Sequence, residues 1–335
     1  MSLERYFARH ERRFTKTRIV VIIAKYDSVN LSGRIGRANI MYCVSPLRIS
    51  FGGGNTDVEP YRSNRGGVSF GVAINKYTFA RHSSNGRTDT SDLVDAIKKR
   101  FLCSDNIVVD SDAPSYSGLG ASGAMAVSVI GLITSGKMPL KDIARIAFNV
   151  ERDDLCVAGG FQDQVWASFG GMQYIEFGDD RFDVLPMART PFIDLIQDRM
   201  LLVNVGPRED GIQIHEDEKR RTEDNFPILD SIKEIANEER RAIRAEDFNT
   251  FCSLLHDSWM YKKMLSPLVS RNDIDEFYDN ARNNGAAAGK LSGAGNGGFM
   301  MFIANDISQL KTFVRDSGYE PEPVKFEWSG MKVVG

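Results

Sequence analysis

One glycine-rich loop carries much of the information in this sequence, and it reads Pro114-Ser115-Tyr116-Ser117-Gly118-Leu119-Gly120-Ala121-Ser122-Gly123-Ala124. Glycine lacks a Cβ atom, so its backbone N–H group can approach an anion closely. An apolar helix is predicted from about Ala121 to Ser135, and its N-terminus would add a positive dipole end and unpaired amides. Such a loop can cradle phosphates, with the Ser122 hydroxyl reaching a magnesium ion. Taken alone, it fits a tightly packed helix start equally well.

Two more clusters of small residues lie before and after this loop. They read Ser45-Pro46-Leu47-Arg48-Ile49-Ser50-Phe51-Gly52-Gly53-Gly54-Asn55-Thr56-Asp57 and Lys290-Leu291-Ser292-Gly293-Ala294-Gly295-Asn296-Gly297-Gly298. Between them, Glu151 ends a predicted helix and Asp163 follows a glycine turn. These two carboxylates can converge on one site, one holding a metal and the other facing a hydroxyl. In isolation, an ordinary helix-end charge and a turn aspartate explain them better.

The GxGxxG spacing of dinucleotide-binding folds also occurs twice, at Gly118, Gly120 and Gly123 and at Gly293, Gly295 and Gly298. A dinucleotide fold needs this motif directly after a strand, with an acid about 20 residues further on. Asp142 stands near that distance, but it falls within a predicted helix. An NAD-dependent oxidoreductase is therefore the weaker alternative.

Composition excludes several classes of protein. The chain has 335 residues, 42% apolar and 26% charged, which is typical of a globular protein that buries a large core. Its net charge of −3 favours neither a nucleic acid nor an anionic membrane as partner. No apolar run reaches the roughly 18 residues of a membrane span. The cysteines stand far apart without a CxxC pair, which indicates a reducing cytoplasm.

Strands and helices are mixed without regular βαβ alternation, which indicates an α+β fold. Residues 212–282 are predicted to be mainly helical. The predicted strands are Cys43–Phe51, Gly67–Arg81, Asn106–Asp110, Met172–Phe177, Met200–Val205, Gly297–Ala304 and a last one near Val324–Trp328, and shorter helices are predicted over Pro139–Asp153 and Ile307–Asp316.

From about Met41 to the C-terminus, the three clusters resemble the three motifs of the GHMP kinases, in order and at plausible spacing. That family is named for galacto-, homoserine, mevalonate and phosphomevalonate kinases. Within it, the likeness is greatest to kinases of D-glycero-D-manno-heptose 7-phosphate. The segments that carry this likeness are Pro46–Gly54 with Thr56-Asp57, Gly159–Gln164, Leu255–Trp259 with Lys262-Lys263, and Gly289–Gly295 followed by Gly298–Phe302.

The resemblance implies a two-domain fold with the active site in the cleft between the domains. A ribosomal-protein-S5-like ATP-binding domain would cover residues 41–195, and a ferredoxin-like domain residues 196–335. Residues 1–40 contain nine Lys and Arg against three Asp and Glu, and we expect them to be a basic extension outside the family match.

The resemblance also implies the roles of the site residues. Asp163 would be the catalytic aspartate with Arg48 beside it, and Ser122 and Glu151 would hold Mg²⁺. ATP would contact Pro114, Ser117, Gly118, Leu119, Gly120, Ala121, Ser122 and Gly123, and the sugar would contact Gly54, Thr56, Asp57, Gly160, Arg208, Gly293 and Ala294.

The expected reaction is phosphorylation of the anomeric hydroxyl of heptose 7-phosphate to the 1,7-bisphosphate, on a route to nucleotide-activated heptose for surface polysaccharide. The alternatives are another GHMP sugar-1-kinase, acting on galactose, fucose or a related sugar, and a non-catalytic binding protein of this fold. The presence of Arg48, Ser122, Glu151 and Asp163 argues against a non-catalytic protein. The expected partners are ATP and a sugar phosphate, without nucleic acid or membrane, and a homodimer is the assembly considered.

A sugar phosphate also needs a cationic contact at its far end, where arginine binds in a bidentate manner. Arg208 is the candidate for this contact. Lys262 and Lys263 lie behind it in the sequence, and for each of them a solvated helix face is the better explanation.

Overall fold

The computed structural model describes residues 41–83, 86–114, 116–179, 181–207, 214, 217–218, 220–221 and 224–335. Residues 41–335 form one compact unit. The predicted basic extension and Arg208 lie outside the described residues.

The described strands form two antiparallel sheets. Their bounds are β1 Tyr42–Gly52, β2 Gly67–His82, β3 Ile107–Ser111, β4 Met172–Phe177, β5 Phe182–Pro186, β6 Met200–Asn204, β7 Ala286–Leu291, β8 Phe299–Ala304, β9 Pro321–Pro323 and β10 Lys332–Val334. In the first sheet the order is β10-β1-β2-β4-β5, with β3 also paired to β2, and in the second it is β7-β8-β6-β9.

The described helices pack against these sheets, and together they confirm the α+β class. A five-residue π-helical turn, Val150–Asp154, extends α4. The bounds are α1 Tyr61–Arg65, α2 Asp92–Phe101, α3 Ala121–Ile133, α4 Leu140–Asn149, α5 Gln162–Phe169, α6 Pro191–Asp198, α7 Phe226–Arg244, α8 Phe248–Met264, α9 Asn272–Asn283 and α10 Ile307–Asp316.

Strand β1 lies beside the central strand β2 of the first sheet, and its first residues also pair with the short strand β10. Arg48 pairs with Ala73 of β2, and a register shift on each side of this region bends the strand. A strand covered on both faces is normally apolar throughout. The almost complete burial of Arg48 in this setting therefore needs a specific partner.

Helix α3 is apolar on nearly all sides, and the residues from Gly123 to Leu132 are mostly buried. A helix of this composition is expected inside a protein. Its first residues follow Gly120, which adopts φ +79°. Among the described residues, no side chain caps this N-terminus, so none of them supplies a capping group for its first amides.

Most predicted elements are present, but the last predicted strand is wrong. Residues 324–328 contain one isolated bridge, from Phe326 to Ile74, and the strands lie on either side of them. Pro323 has no N–H to donate and Pro321 starts the short edge strand β9, so the pairing ends early. The elements that were not predicted are strands β5, β7, β9 and β10 and helices α1, α2, α5 and α6.

The division at residue 195 stays a prediction. The two sheets separate between β5 and β6, while β10 returns from the C-terminus to pair with β1. Of the helices in the described part of the chain, none is long and apolar enough to cross a bilayer. Cys43, Cys103, Cys156 and Cys252 are all free thiols.

Candidate active site

Arg48 and Asp163 form a direct ion pair between strand β1 and helix α5. Arg48 Nε donates to Asp163 Oδ1 at 2.7 Å, and Nη2 lies 2.6 Å from the same oxygen. The arginine side chain is 5% exposed and the aspartate side chain 27% exposed. The carboxylate is therefore reachable from solvent, while the guanidinium fixes it from behind.

The glycine loop between β3 and α3 is bonded to both of the other motifs. Arg48 Nη1 donates to the carbonyl of Gly118 at 2.5 Å, and the Arg48 amide donates to that of Leu119 at 3.0 Å. From the third motif, the Phe299 amide donates to the Ser117 carbonyl at 3.0 Å. The three motifs, spread over about 250 residues of sequence, therefore meet at one place.

Two glycines of this loop let it approach the ion pair closely. A Cβ atom at Gly120 would lie 3.2 Å from Asp163 Cγ and 3.3 Å from Arg48 Cγ. At Gly123 it would lie 2.7 Å from Asp163 Cβ, closer than real Cβ atoms approach. Alanine at position 123 would therefore require helix α3 or Asp163 to move.

Ser122 and Glu151 are joined at the start of helix α3. The Ser122 hydroxyl donates to Glu151 Oε1 at 2.5 Å, and the Gln164 amide donates to Glu151 Oε2. Ser122 is exposed and Glu151 is buried. Burial is the largest influence on Glu151 and raises the pKa of its carboxyl, which the nearby Arg152 guanidinium opposes.

These two side chains fit a magnesium ion. Mg²⁺ binds oxygen ligands and is commonly held by one or two carboxylates together with substrate phosphates. A hydroxyl and a carboxylate oxygen 2.5 Å apart, next to an uncapped helix N-terminus, provide that set. No group of three or more His, Cys, Asp or Glu that could hold a metal occurs within the described residues, so the phosphates would have to complete the coordination.

Asp57 is buried against the turn that carries Asp163. Its Oδ2 accepts hydrogen bonds from the amides of Phe161 at 2.7 Å and Gln162 at 3.0 Å. Its Oδ1 has no hydrogen-bond partner among the described residues. Burial raises the pKa of this carboxyl, and the two amide bonds oppose the rise. Gly160 permits the contact, because a Cβ atom there would lie 1.8 Å from Asp57 Oδ2.

The structure also describes three more residues predicted to contact the sugar, Thr56, Gly293 and Ala294, and one predicted to contact ATP, Pro114. The Thr56 hydroxyl is fully buried and bonds the backbone of Gly53 and Val68. Ala294 packs in the core between the second sheet and its helices. Gly293 accepts a hydrogen bond from Lys262 through its carbonyl. Pro114 is exposed at the start of the loop.

Two neighbouring cavities lie near the ion pair, and Arg48 lines the smaller of them. The larger, called here the carboxylate cavity, has about 300 Å³. The smaller, called the lysine cavity, has about 20 Å³. Asn55 lines both of them. The carboxylate cavity is lined by Asp57, Glu59, Arg62, Phe148, Arg152, Asp153 and Glu218, and the lysine cavity by Arg48, Gly54, Ser258, Lys262, Lys290 and Gly293, each with further residues.

Lys262 does not lie on a solvated helix face, so that interpretation is wrong for this residue. It is 7% exposed and lines the lysine cavity. The spacing of Leu255, Trp259 and Lys262 on α8 could have indicated this, because these three share one helix face with two apolar members. Lys263 points elsewhere and pairs with Asp275 at 3.1 Å.

Three more residues belong to the site although sequence reasoning gave them no role. Gln164 holds Glu151. Arg152 donates to the carbonyls of Val157 at 2.6 Å and Gly160 at 2.9 Å, which fixes the turn before Asp163. Lys290 is buried beside the first motif and donates to the Phe51 carbonyl at 2.7 Å. Their positions next to motif residues were the only available signal.

Comparison with known proteins identifies the family. The model of the GHMP kinases N terminal domain matches residues 90–171, and that of the GHMP kinases C terminal region matches residues 240–320. D-glycero-alpha-D-manno-heptose 7-phosphate kinase of Campylobacter jejuni is 31% identical over 329 residues, covering 86% of this chain and 97% of the relative. The chain therefore belongs to the GHMP kinases. It is a GHMP-type sugar kinase, which transfers a phosphoryl group from ATP to a sugar, and the oxidoreductase and non-catalytic alternatives are set aside.

Solved structures show the same fold. A D-glycero-D-manno-heptose 1-phosphate kinase from Bacteroides thetaiotaomicron superposes with a TM-score of 0.69 at 24% identity, covering 88% of this chain and 99% of that one. The mevalonate kinase of Methanococcus jannaschii superposes with a TM-score of 0.66 at 14% identity, covering 87% and 100%. At these identities the superpositions support the fold alone.

Proposed function

We propose that this kinase phosphorylates the anomeric hydroxyl of D-glycero-D-manno-heptose 7-phosphate, giving the 1,7-bisphosphate. The observation that carries this proposal is the similarity, over nearly the whole length, to a heptose 7-phosphate kinase. The product would supply the synthesis of nucleotide-activated heptose for surface polysaccharide, in the cytoplasm.

Asp163 is the proposed catalytic residue. Phosphoryl transfer through a loose transition state depends mainly on positioning and charge neutralisation. The substrate hydroxyl oxygen forms a bond to the γ-phosphorus, the bond from that phosphorus to the bridging oxygen breaks, and ADP leaves. The hydroxyl proton passes to the Asp163 carboxylate, which Arg48 holds in place. The partial exposure of this carboxylate supports its contact with a substrate.

The glycine loop and the start of helix α3 are the proposed site for the ATP phosphates. Uncapped helix amides attract anions, and the residues from Ser117 to Gly123 place them beside Asp163. Ser122 and Glu151 would hold Mg²⁺, which neutralises charge on the phosphates when bound.

The carboxylate cavity is the proposed site for the sugar hydroxyls. Its volume of about 300 Å³ lies at the lower end of the range for small-molecule sites. Asp57 and Glu218 can accept hydrogen bonds from hydroxyl groups, and the rings of Phe148 and Tyr61 offer apolar contact. Arg208, the candidate that the sequence offers for the far phosphate, lies outside the described residues.

A coupled ADP-release assay over a panel of sugars tests the substrate. The panel holds heptose 7-phosphate, the same heptose without phosphate, galactose and fucose, each with magnesium and ATP. We expect the highest kcat/KM for heptose 7-phosphate, and NMR of the product should locate the new phosphate on C1. A higher kcat/KM for galactose or fucose would contradict the proposed substrate and favour another sugar-1-kinase.

A further inference from the structure

The lysine cavity is positively charged and lies next to the proposed acceptor site. Arg48, Lys262 and Lys290 line it, from three different elements of the fold. Among the described residues, no aspartate or glutamate lines it. Nothing in the transfer step described above requires the two lysines.

We propose that the phosphate group already carried by the sugar substrate binds in the lysine cavity, against the Lys262 ammonium group. The inference rests on the proposed function and names residues that hold the far end of that substrate. Lys290 adds charge to the same wall, where its Nζ is fixed by the Phe51 carbonyl at 2.7 Å and the Ser258 hydroxyl at 3.3 Å.

The charges of the two cavities favour this assignment. The carboxylate cavity contains four carboxylates, those of Asp57, Glu59, Asp153 and Glu218, against two arginines. One of these arginines, Arg62, is already bonded to Glu59. A phosphate dianion is repelled by such a lining and attracted by the Lys262 and Lys290 ammonium groups of the lysine cavity, where Arg48 is already paired with Asp163. Sugar hydroxyls suit the carboxylates, so the two ends of one sugar phosphate match the two cavities.

The positions of the cavities also allow one substrate to reach both. Arg48 lines the lysine cavity and touches Asp163, the proposed partner of the anomeric hydroxyl. Asn55 lies between the cavities and lines both. A sugar at Asp57 can therefore present one end to Asp163 and the other to Lys262.

The lysine cavity must widen to accept a phosphate. Its volume of about 20 Å³ corresponds to roughly one water molecule. Lys262 donates to the Gly293 carbonyl, and its flexible stem lets the ammonium turn from that carbonyl toward a bound anion. Gly54 leaves room for the widening, because no heavy atom of the described residues lies within 4 Å of the position that its Cβ would take.

The test compares Lys262→Met with Lys263→Met, a neighbouring lysine whose partner is Asp275. Steady-state kinetics are measured with heptose 7-phosphate and with the unphosphorylated heptose at saturating magnesium-ATP. KM for ATP is measured separately, by varying magnesium-ATP at fixed sugar. In Lys262→Met we expect KM for heptose 7-phosphate to rise about 10- to 150-fold, the range for a charged hydrogen bond. KM for ATP and kcat/KM for the unphosphorylated heptose should stay near the wild-type values, as should all constants of Lys263→Met.

Equal losses on both sugars in Lys262→Met would overturn the assignment, because a general structural role or contact with the ATP phosphate affects both substrates alike. Unchanged kinetics would overturn it as well.

If Lys262→Met does not fold, Gly54→Val tests the assignment instead. Gly54 has no left-handed backbone angle, and valine would fill the open side of the cavity without changing its charge. We expect Gly54→Val to lose preference for the phosphorylated sugar, and retained preference contradicts the assignment.

The sugar preference of the wild-type enzyme distinguishes a failure of this inference from a failure of the proposed substrate. If the wild-type enzyme prefers a different phosphorylated sugar, the substrate is wrong, and loss of that preference in Lys262→Met still supports the cavity. If the wild-type enzyme prefers unphosphorylated sugars, both fail.

Discussion

Gly123 of helix α3 lies against the side chain of Asp163 on helix α5, so closely that an added Cβ atom would come within 2.7 Å of Asp163 Cβ. Gly120 approaches the same side chain from the preceding turn. The glycine loop and the proposed catalytic carboxylate are therefore in direct packing contact. Their separation is set by the absence of two side chains.

Gly123→Ala should consequently cost more in the activation free energy of the reaction, measured from kcat, than in the free energy of unfolding. The methyl group pushes Asp163 away from its place, and a misplacement of about 1 Å can cost about 100-fold in rate. Steady-state kinetics and thermal unfolding measure the two effects. Gly178→Ala is the control, because among the described residues the added Cβ would first meet the Arg181 side chain, at 3.3 Å, and the backbone only at 3.8 Å. Wild-type kcat in Gly123→Ala would show that the contact is unimportant.

Asp163→Asn and Asp163→Ala should lose most of kcat while nucleotide still binds. A positioned general base contributes roughly 10²- to 10⁴-fold to rate. The ATP dissociation constant, from calorimetry or fluorescence, should change little, because the helix amides remain. Turnover near the wild-type value in Asp163→Ala would reject this residue as the base.

Asp57→Asn should weaken binding of the sugar and leave kcat nearly unchanged. The buried Oδ1 has no partner among the described residues and is available to accept a hydrogen bond from a sugar hydroxyl. An amide nitrogen at the same place cannot accept a hydrogen bond. We expect KM for the sugar to rise about 10- to 150-fold. Thr56→Ser serves as the control, because it keeps the hydroxyl that holds the loop. An unchanged KM in Asp57→Asn would exclude the contact.

Ser122→Ala and Glu151→Gln should each raise the Mg²⁺ concentration needed for half-maximal rate. Ser122→Ala removes a hydroxyl oxygen beside the uncapped start of α3, and Glu151→Gln removes the negative charge of the carboxylate while it keeps one oxygen. Ser128→Ala is a matched control on the same helix, since its hydroxyl bonds the Thr78 carbonyl and lies away from Glu151. Magnesium titrations at fixed ATP give the comparison, and equal curves for all three variants and wild type would contradict the proposed metal site.

Glu239 should make the stability of the protein depend on pH. Burial raises the pKa of its carboxyl to about 8, although the nearby Lys290 opposes the rise. Between its ordinary value of 4.5 and about 8, the folded protein then keeps a proton that the unfolded chain has released. The contribution of Glu239 to the free energy of unfolding therefore decreases as pH rises through this interval.

Glu239→Gln removes this titration. We expect the free energy of unfolding of wild type, relative to the variant, to fall between about pH 5 and pH 8, as measured by urea denaturation. Loss of the carboxylate also lowers the pKa of Lys290 further below its wild-type value of about 8, which acts in the same direction. The comparison stops at pH 8, because Lys290 in wild type begins to add stability above that pH. A difference independent of pH would show that Glu239 is not buried in this way.

The sequence by itself determined the family, the α+β class and the residues that meet at the ion pair. The resemblance of the three motifs, taken together, to the GHMP kinases selected Arg48, Ser122, Glu151 and Asp163, whereas each local pattern taken alone left another explanation open. The structure brings these four together around one loop. Their catalytic roles stay predictions until the variants are measured.

Only the tertiary structure decided which distant segment covers each element. Lys262 appeared solvated in a charged helix end, but the loop that carries Gly293, about 30 residues further on, packs against it and makes it a cavity residue. Thr56 and Ala294 face the protein interior for the same reason. Side-chain burial depends on segments that are distant in sequence, and local periodicity contains no information about which of them will arrive there.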